Sequence, residues 1–476
     1  MLEVIELYNN LPIPPQKPKK KSPLSKRNRP HRTSKISIPP LPLTLRLARL
    51  LYGSFTLLLI GTFSLTLGAI VAVFDAKVTD TVPDWRQALV ETPSPGPSPW
   101  PSPRLSRTLN LLVLGIEGGV TPTPDGQSSS PQPAETLWLI RFDPLQNTVS
   151  VLLIPPQTRV EIPNRGRNPV ASAHSMGGIT LTSRVLSQTL NAIPIDRYIR
   201  ADAATFRSFI DLVGGVELFV PESLSYQDST PGIAVNLQPG WQTLKGEETL
   251  GFARFQNNEA DRSGIHRQQM ILQSLGDRLA SPTLGSQLPR IVQLMHEYID
   301  TNLTQEELFG LVTLLQQRPS DGLKMVLLPG AFTTTRSVPT PYWNIDTTGR
   351  DRVLYHYFDR ELNPGTPRHR ATTPKSPQTL KIALQNASGN PLILGQMLSE
   401  LKSRGYRNVY AISDWPDPQR HTQIIVQTGD IPAANTLHTL LPTAQIQSSS
   451  LGDLESEITI RIGEDAIRLK ELYWAK

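Results

Sequence analysis

The stretch Leu244 to Leu272 reads LKGEETLGFARFQNNEADRSGIHRQQMIL and brings Arg254, Asp261 and Arg267 into one short segment. A forked guanidinium donates to two oxygens at once, which suits a diphosphate, and a carboxylate beside it can orient the fork or hold a metal ion. The blander alternative is a solvated charged loop. Two helices have to position these groups. Gly246 to Arg254 and Ser263 to Leu279 both read as helical, the second with Ile265, Leu272, Leu275 and Leu279 at helical spacing and Ser263 as its N-cap.

A chain of 476 residues without cysteine has room for two domains plus appendages and excludes disulfides and thiolate metal sites. Its 44 prolines exceed what compact domains need, so linker is expected. The net charge of +6 suggests a nucleic-acid partner until it is located. Residues 1–49 hold 11 Lys/Arg against two Glu, so the remainder is net −3 and the basic character belongs to the tail.

That tail, 1–45, is Pro-interrupted and poor in apolar side chains, which predicts disorder. Leu50 to Phe74 follows without a charged residue and is long enough to cross a bilayer, with Arg46 and Arg49 before it and Asp75 after it. A cleaved signal peptide would begin nearer the terminus. The expected layout is one transmembrane helix over 46–76 in the plasma membrane, with the N-terminus cytoplasmic and the remaining domains outside. On that reading the tail is a positive-inside anchor that touches lipid, and no nucleic-acid partner is expected because no helix-turn-helix accompanies it.

Residues 77–108 read as a linker that includes the Pro/Ser spacer Thr92 to Arg104. An α/β layered domain, a central sheet flanked by helices, is expected over 109–335. Its strands are Leu109 to Gly115, Leu137 to Phe142, Val149 to Ile154, Val216 to Val220 and Leu323 to Leu328, and Val120 to Pro133 reads as a loop. Its helices include Ile179 to Leu190, Ala203 to Val213 with Asp202 as N-cap and Gly214 past its end, and Thr304 to Gln316. Arg336 to Pro377 is polar and Pro-dotted, a linker with docking contacts at Trp343, Tyr355 and Tyr357. A small α/β domain over 378–467 closes the chain. Asp414, Asp417 and His421 in a proline turn read as a solvated loop rather than a metal site, and His174-Ser175 lacks the orienting acid of a hydrolase.

The pair GEETLGFARFQ and DRSGIHRQ resembles the signature of the LytR-CpsA-Psr family, a G-x-x-A-L-x-x-x-R-x-R helix followed by D-x-G-R-x-x-R-Q. The likeness runs from Asn110 to about Gln316 and includes IPIDRYIRADAATFRSFIDLVGGVELFVP; LKIALQNASGNP, GYRNVY, DWPD and ITIRIGED look like the LytR-type domain often found behind it. The resemblance implies a membrane-anchored phosphotransferase that moves a glycan from a polyprenyl-pyrophosphate carrier onto a peptidoglycan acceptor with Mg²⁺. It assigns Arg254, Arg267 and Gln268 to the phosphates and Glu117, Glu135 and Asp261 to the metal.

The sequence departs from that pattern in several places. The family's two strand-end aspartates are Glu117 and Glu135, its I-P-R-D-T is Ile154-Pro155-Pro156-Gln157-Thr158, and two further arginines are Gln256 and Gly264. A transition-state arginine is worth about a thousandfold or more in phosphoryl transfer, so three losses argue against full activity unless Arg159, Arg165, Arg167 or Arg262 replaces them. The alternatives are a protein that binds polyprenyl phosphate or an envelope partner without turnover, and a transcriptional attenuator.

Overall fold

The computed structural model describes residues 105–117, 132–227, 234–255, 263–285, 287–319, 321–333, 341–360 and 373–469. The basic tail, the apolar segment 50–74, the Pro/Ser spacer and most of the loop expected at 120–133 lie outside these residues. All described residues belong to one compact unit.

The first domain is built on Leu109–Ile116 (β1), where Leu109 and Leu111 bury in one core and Leu112 and Leu114 in another. That alternation follows from the two-residue period of a strand and requires cover on both faces. Ala134–Asp143 (β2) and Thr148–Leu153 (β3), both expected as strands, continue from it in antiparallel order, a direction that the sequence left open. Arg159–Ile162 (β4) and Gly166–Pro169 (β5) form a side hairpin, followed by Ala171–Thr189 (α1). At Gly177 and Gly178 the backbone of α1 leaves helical geometry, so the double glycine kinks the helix. Arg197–Asp202 (β6) then returns parallel to β1.

Asp202 caps Ala203–Leu212 (α2), its carboxylate accepting from the Thr205 amide at 2.8 Å, and Gly214 at φ +88° releases the chain from the helix. Val216–Val220 (β7), Leu224–Gln227 (β8), Ala234–Leu237 (β9) and Gly240–Leu244 (β10) form two small antiparallel pairs, β7 with β10 and β8 with β9. The two helices of the arginine segment follow as Gly246–Arg254 (α3) and Ser263–Ala280 (α4). Leu288–Tyr298 (α5), Asp300–Thr301 (β11), Gln305–Gln317 (α6) with Thr304 and Glu307 in a capping box, and Leu323–Leu327 (β12) complete the layers. The main sheet has the order β11-β6-β1-β2-β3-β12.

The segment 336–377, expected as a linker, is in part structural. Trp343–Ile345 (β14) pairs with Gly330–Phe332 (β13), and Thr347–Phe358 (α7) buries Val353, Leu354, Tyr357 and Phe358 in the core shared with α1. Its charges are neutralised in place, Arg350 by Asp351 at 2.8 Å and Arg352 by Asp430 at 3.0 Å.

The C-terminal domain is a small α/β unit, the class expected from the sequence. Lys381–Asn386 (β15), Pro391–Ser403 (α8), Asn408–Ala411 (β16), Gln423–Val426 (β17), Ile431–Leu440 (α9), Gln445–Gln447 (β18), Ile458–Ile462 (β19) and Asp465–Leu469 (α10) give a five-stranded sheet of order β16-β15-β19-β17-β18. It also covers the exposed edge of the first sheet. The Met325 amide in β12 donates to the Ser448 carbonyl at 2.6 Å, and the Ser450 hydroxyl donates to the Met325 carbonyl at 3.1 Å.

Candidate functional site

Between the main sheet and helices α2 to α6 lies a cavity of about 300 Å³. Leu111, Val113, Trp138, Ile140, Phe142 and Val151 form its floor, and Ile271, Leu272, Leu275 and Leu279 of α4 face them. The helical spacing of those four residues lines one side of a hydrocarbon tube. Alternating residues of β1 supply the other.

At one end the lining turns polar, with Gly115, Thr136, Glu135, Asp202, Arg254 and Gln268. β1 and β2 slip register here. Gly115 faces Thr136 and Ile116 faces Ala134, which leaves Glu135 as the unpaired residue of a bulge. A bulge re-aims a side chain, and this one sends the Glu135 carboxylate to the Arg254 guanidinium at 3.1 Å. Gly115 also keeps the strands close, since a Cβ there would meet the Thr136 Cβ at 3.1 Å.

The two arginines of the segment meet around one backbone group. Arg254 ends α3, and the carbonyl of the next residue, Phe255, accepts from the buried Arg267 guanidinium, which also lies 5.3 Å from the centre of the Phe255 ring. Arg267 therefore fixes the chain that carries Arg254, while its neighbour Gln268 lines the cavity. At Gly264, where the family pattern has arginine, an added Cβ would stand 3.8 Å from the Arg267 Nη2 atom. Asp261, Arg262 and Gln256 lie outside the described residues.

Arg159, Arg165 and Arg167 are placed on the β4–β5 hairpin, and all three are exposed. Arg159 stacks over Tyr342 with 5.5 Å to the ring centre, Arg167 pairs with Glu161 at 3.6 Å, and Arg165 sits at the turn. None of them lines the cavity. The Pro155–Thr158 turn is likewise committed elsewhere, Thr158 donating to the Pro155 carbonyl at 2.6 Å and Gln157 accepting from the Trp343 amide at 3.0 Å.

Glu117 is exposed one residue beyond β1. Glu117 and Glu135 offer hard oxygen donors, and magnesium takes one or two carboxylates together with phosphate oxygens and water, so the donor chemistry fits. Among the described residues no group of three or more acidic or histidine side chains converges as a metal site.

His174 is fully buried with its Nδ1 2.6 Å from the Gln132 carbonyl oxygen, and burial holds its pKa below the usual imidazole value. Ser175 donates to the Ser172 carbonyl at 3.0 Å, so the two do not form a nucleophile and base. Asp414 accepts from Asn386 and Asp417 from Trp241, while His421 lies 3.5 Å from Asp465, which disperses the proline-turn cluster. Sequence reasoning missed Asp202 and Thr136 as parts of the cavity mouth. The helix cap marked Asp202, but the bulge that brings β2 into the site leaves no sequence signal.

The LytR-CpsA-Psr family model matches residues 93–357, and a model described as LytR cell envelope-related transcriptional attenuator matches residues 379–465. Polyisoprenyl-teichoic acid–peptidoglycan teichoic acid transferase TagV of Bacillus subtilis (strain 168) is 27% identical over 253 residues, 52% of this chain and 63% of that protein. Regulatory protein MsrR of Staphylococcus aureus (strain COL) is 26% identical over 204 residues, 42% of this chain and 58% of that protein. The chain thus spans less than two thirds of either relative. Among solved structures, B. subtilis TagV is similar at 26% identity and a TM-score of 0.47, covering 55% of this chain and 100% of that one. YwtF (TagT) with bound octaprenyl pyrophosphate lipid has 20% identity and a TM-score of 0.40, covering 55% and 92%.

Proposed function

The chain belongs to the LytR-CpsA-Psr family, and from that premise we propose a membrane-anchored transferase that moves a glycan from a polyprenyl-diphosphate carrier onto peptidoglycan. The supporting observation is the amphiphilic cavity, a hydrocarbon-lined space whose mouth carries Arg254, Glu135 and Gln268. An isoprenoid tail removed from water there gains about 25 cal/mol per Å² of apolar surface. The charged head then meets Arg254 rather than a dry apolar wall, where an unpaired charge would be costly.

In this reading the acceptor hydroxyl attacks the phosphorus that bears the glycan. The phosphoanhydride bond to the carrier breaks, polyprenyl phosphate leaves, and the hydroxyl proton passes to solvent. Negative charge grows on the bridging oxygen as that bond loosens. Arg254, oriented beforehand by Glu135, stabilises it at little reorganisation cost, and Gln268 adds neutral donors beside it. Arg267 acts as a positioning residue through the Phe255 carbonyl. A magnesium ion held by Glu135, Glu117 and Asp261 would neutralise further phosphate charge when bound. Leu50 to Phe74 would anchor the protein in the plasma membrane with its N-terminus cytoplasmic; among the described residues no helix is long and apolar enough to cross a membrane.

Two observations favour a second reading, binding without turnover. Arg267 donates to a backbone carbonyl, and the hairpin arginines lie off the cavity. The two readings separate when the full chain in lipid vesicles is given a radiolabelled polyprenyl-diphosphate saccharide and purified sacculi. Label moving into the sacculi, and lost in Arg254→Ala, supports the transferase. Retained lipid binding with no transfer leaves only the binder.

A further inference from the structure

Helix α4 has two working faces. Gln268, Ile271, Leu272 and Leu275 line the apolar cavity, while His266, Met270, Gln273 and Asp277 line a cleft of about 640 Å³ between the two domains. The far wall of that cleft comes from the C-terminal domain, through Trp415, Asp417, Gln423 and Arg461 among others.

We propose that this cleft binds an uncharged saccharide chain, stacked on Trp241 and Trp415 and hydrogen-bonded by glutamine side chains from both domains. Trp241 is 60% exposed, an unusual position for an indole, and its N–H donates to Asp417 across the domain boundary at 3.3 Å. Phe219 stands between the two indoles, 5.6 Å from Trp241 and 5.9 Å from Trp415, and Arg461 backs Trp415 at 3.9 Å. The C–H face of a pyranose packs on such rings, and amides offer both donors and acceptors to its hydroxyl and N-acetyl groups.

Three polar atoms at the cleft wall, Trp415 Nε1, Gln273 Oε1 and His266 Nδ1, have no hydrogen-bond partner among the described residues. Buried polar groups of this kind ordinarily find partners, and a hydroxyl-rich ligand would bring them. The charge pattern disfavours a polyphosphate occupant. Arg461 donates to Gln385, Gln423 and the Leu451 carbonyl, Arg278 to the Val213 carbonyl, and Asp417, Asp277 and Glu217 set an acidic rim.

The inference stands apart from the transferase reading, because saccharide binding requires no lipid. If both hold, α4 separates the carrier's cavity from a docking site for the acceptor. The probe is a β-1,4-linked N-acetylglucosamine tetramer titrated into the full chain in detergent, followed by calorimetry and tryptophan fluorescence. Saturable binding is expected, weakened about tenfold in Trp241→Ala and in Gln273→Leu. Affinity for a polyprenyl diphosphate should be unchanged in Trp241→Ala, which also shows that this variant is folded. The proposal is overturned by absence of saturable binding, by wild-type affinity in both variants, or by binding of a poly(glycerol phosphate) in place of the neutral tetramer.

Discussion

His266 makes the interdomain cleft sensitive to acid. Burial, with Arg461 and Arg267 adding repulsion, lowers its pKa from 6.5 to about 4. In the folded chain the imidazole stays neutral down to the acid end of that interval, whereas in the unfolded chain it protonates near its ordinary value. The unfolded state therefore binds more protons between these pH values, and stability falls as pH drops through them. The shift corresponds to about 3 kcal/mol in full, of which about 2 kcal/mol is lost between pH 7 and pH 5. Urea unfolding of the full chain, followed by tryptophan fluorescence at intervals from pH 7 to pH 4, measures this directly. His266→Gln cannot take up the proton, so its stability curve should be flatter by that amount, with the contributions of the other histidines cancelling. Parallel curves for the two proteins would refute the assignment of a half-buried, neutral imidazole at this position.

Two further perturbations test the cavity and the domain boundary. Leu275→Trp fills the hydrocarbon tube and should weaken polyprenyl-diphosphate binding about tenfold, with an overpacking cost of about 1–3 kcal/mol; equal affinity by calorimetry would place the tail elsewhere. Asp430→Ala removes the carboxylate that pairs with Arg352 and caps α9 through the Ala433 amide at 3.0 Å. Leaving a buried guanidinium without this partner should cost about 3–5 kcal/mol in urea unfolding, and a loss under about 1 kcal/mol would show that the pair carries little stability.

The sequence disclosed what local periodicity can encode. Leu109–Ile116 is a short apolar run closed by glycine, Asp202 precedes a helix that buries Ile210, and the arginine segment divides into two helices at the expected places. It concealed elements whose polar residues are satisfied by distant partners. Arg197–Asp202 reads RYIRAD, yet it is a strand beside β1 because Glu307 takes Arg197 at 2.7 Å and Asp300 takes Arg200 at 2.5 Å. Thr347–Phe358 looks like linker for the same reason, since the pairs that neutralise its charges include a carboxylate from the C-terminal domain. At the site, Arg254 was legible from its motif. The direction of Arg267 was not, because the Phe255 carbonyl that receives it belongs to the C-cap of α3 rather than to a repeating element.

The account rests on a cavity that recognises a hydrocarbon tail and a diphosphate head together. Calorimetry of the full chain in nanodiscs can compare geranylgeranyl diphosphate, geranylgeraniol and inorganic diphosphate, each with the wild type and with Arg254→Ala. The diphosphate lipid should bind at least about tenfold more tightly than either fragment, and Arg254→Ala should reduce it to the level of the alcohol. Equal affinity for the alcohol and the diphosphate in the wild type, or no change in Arg254→Ala, would contradict the account.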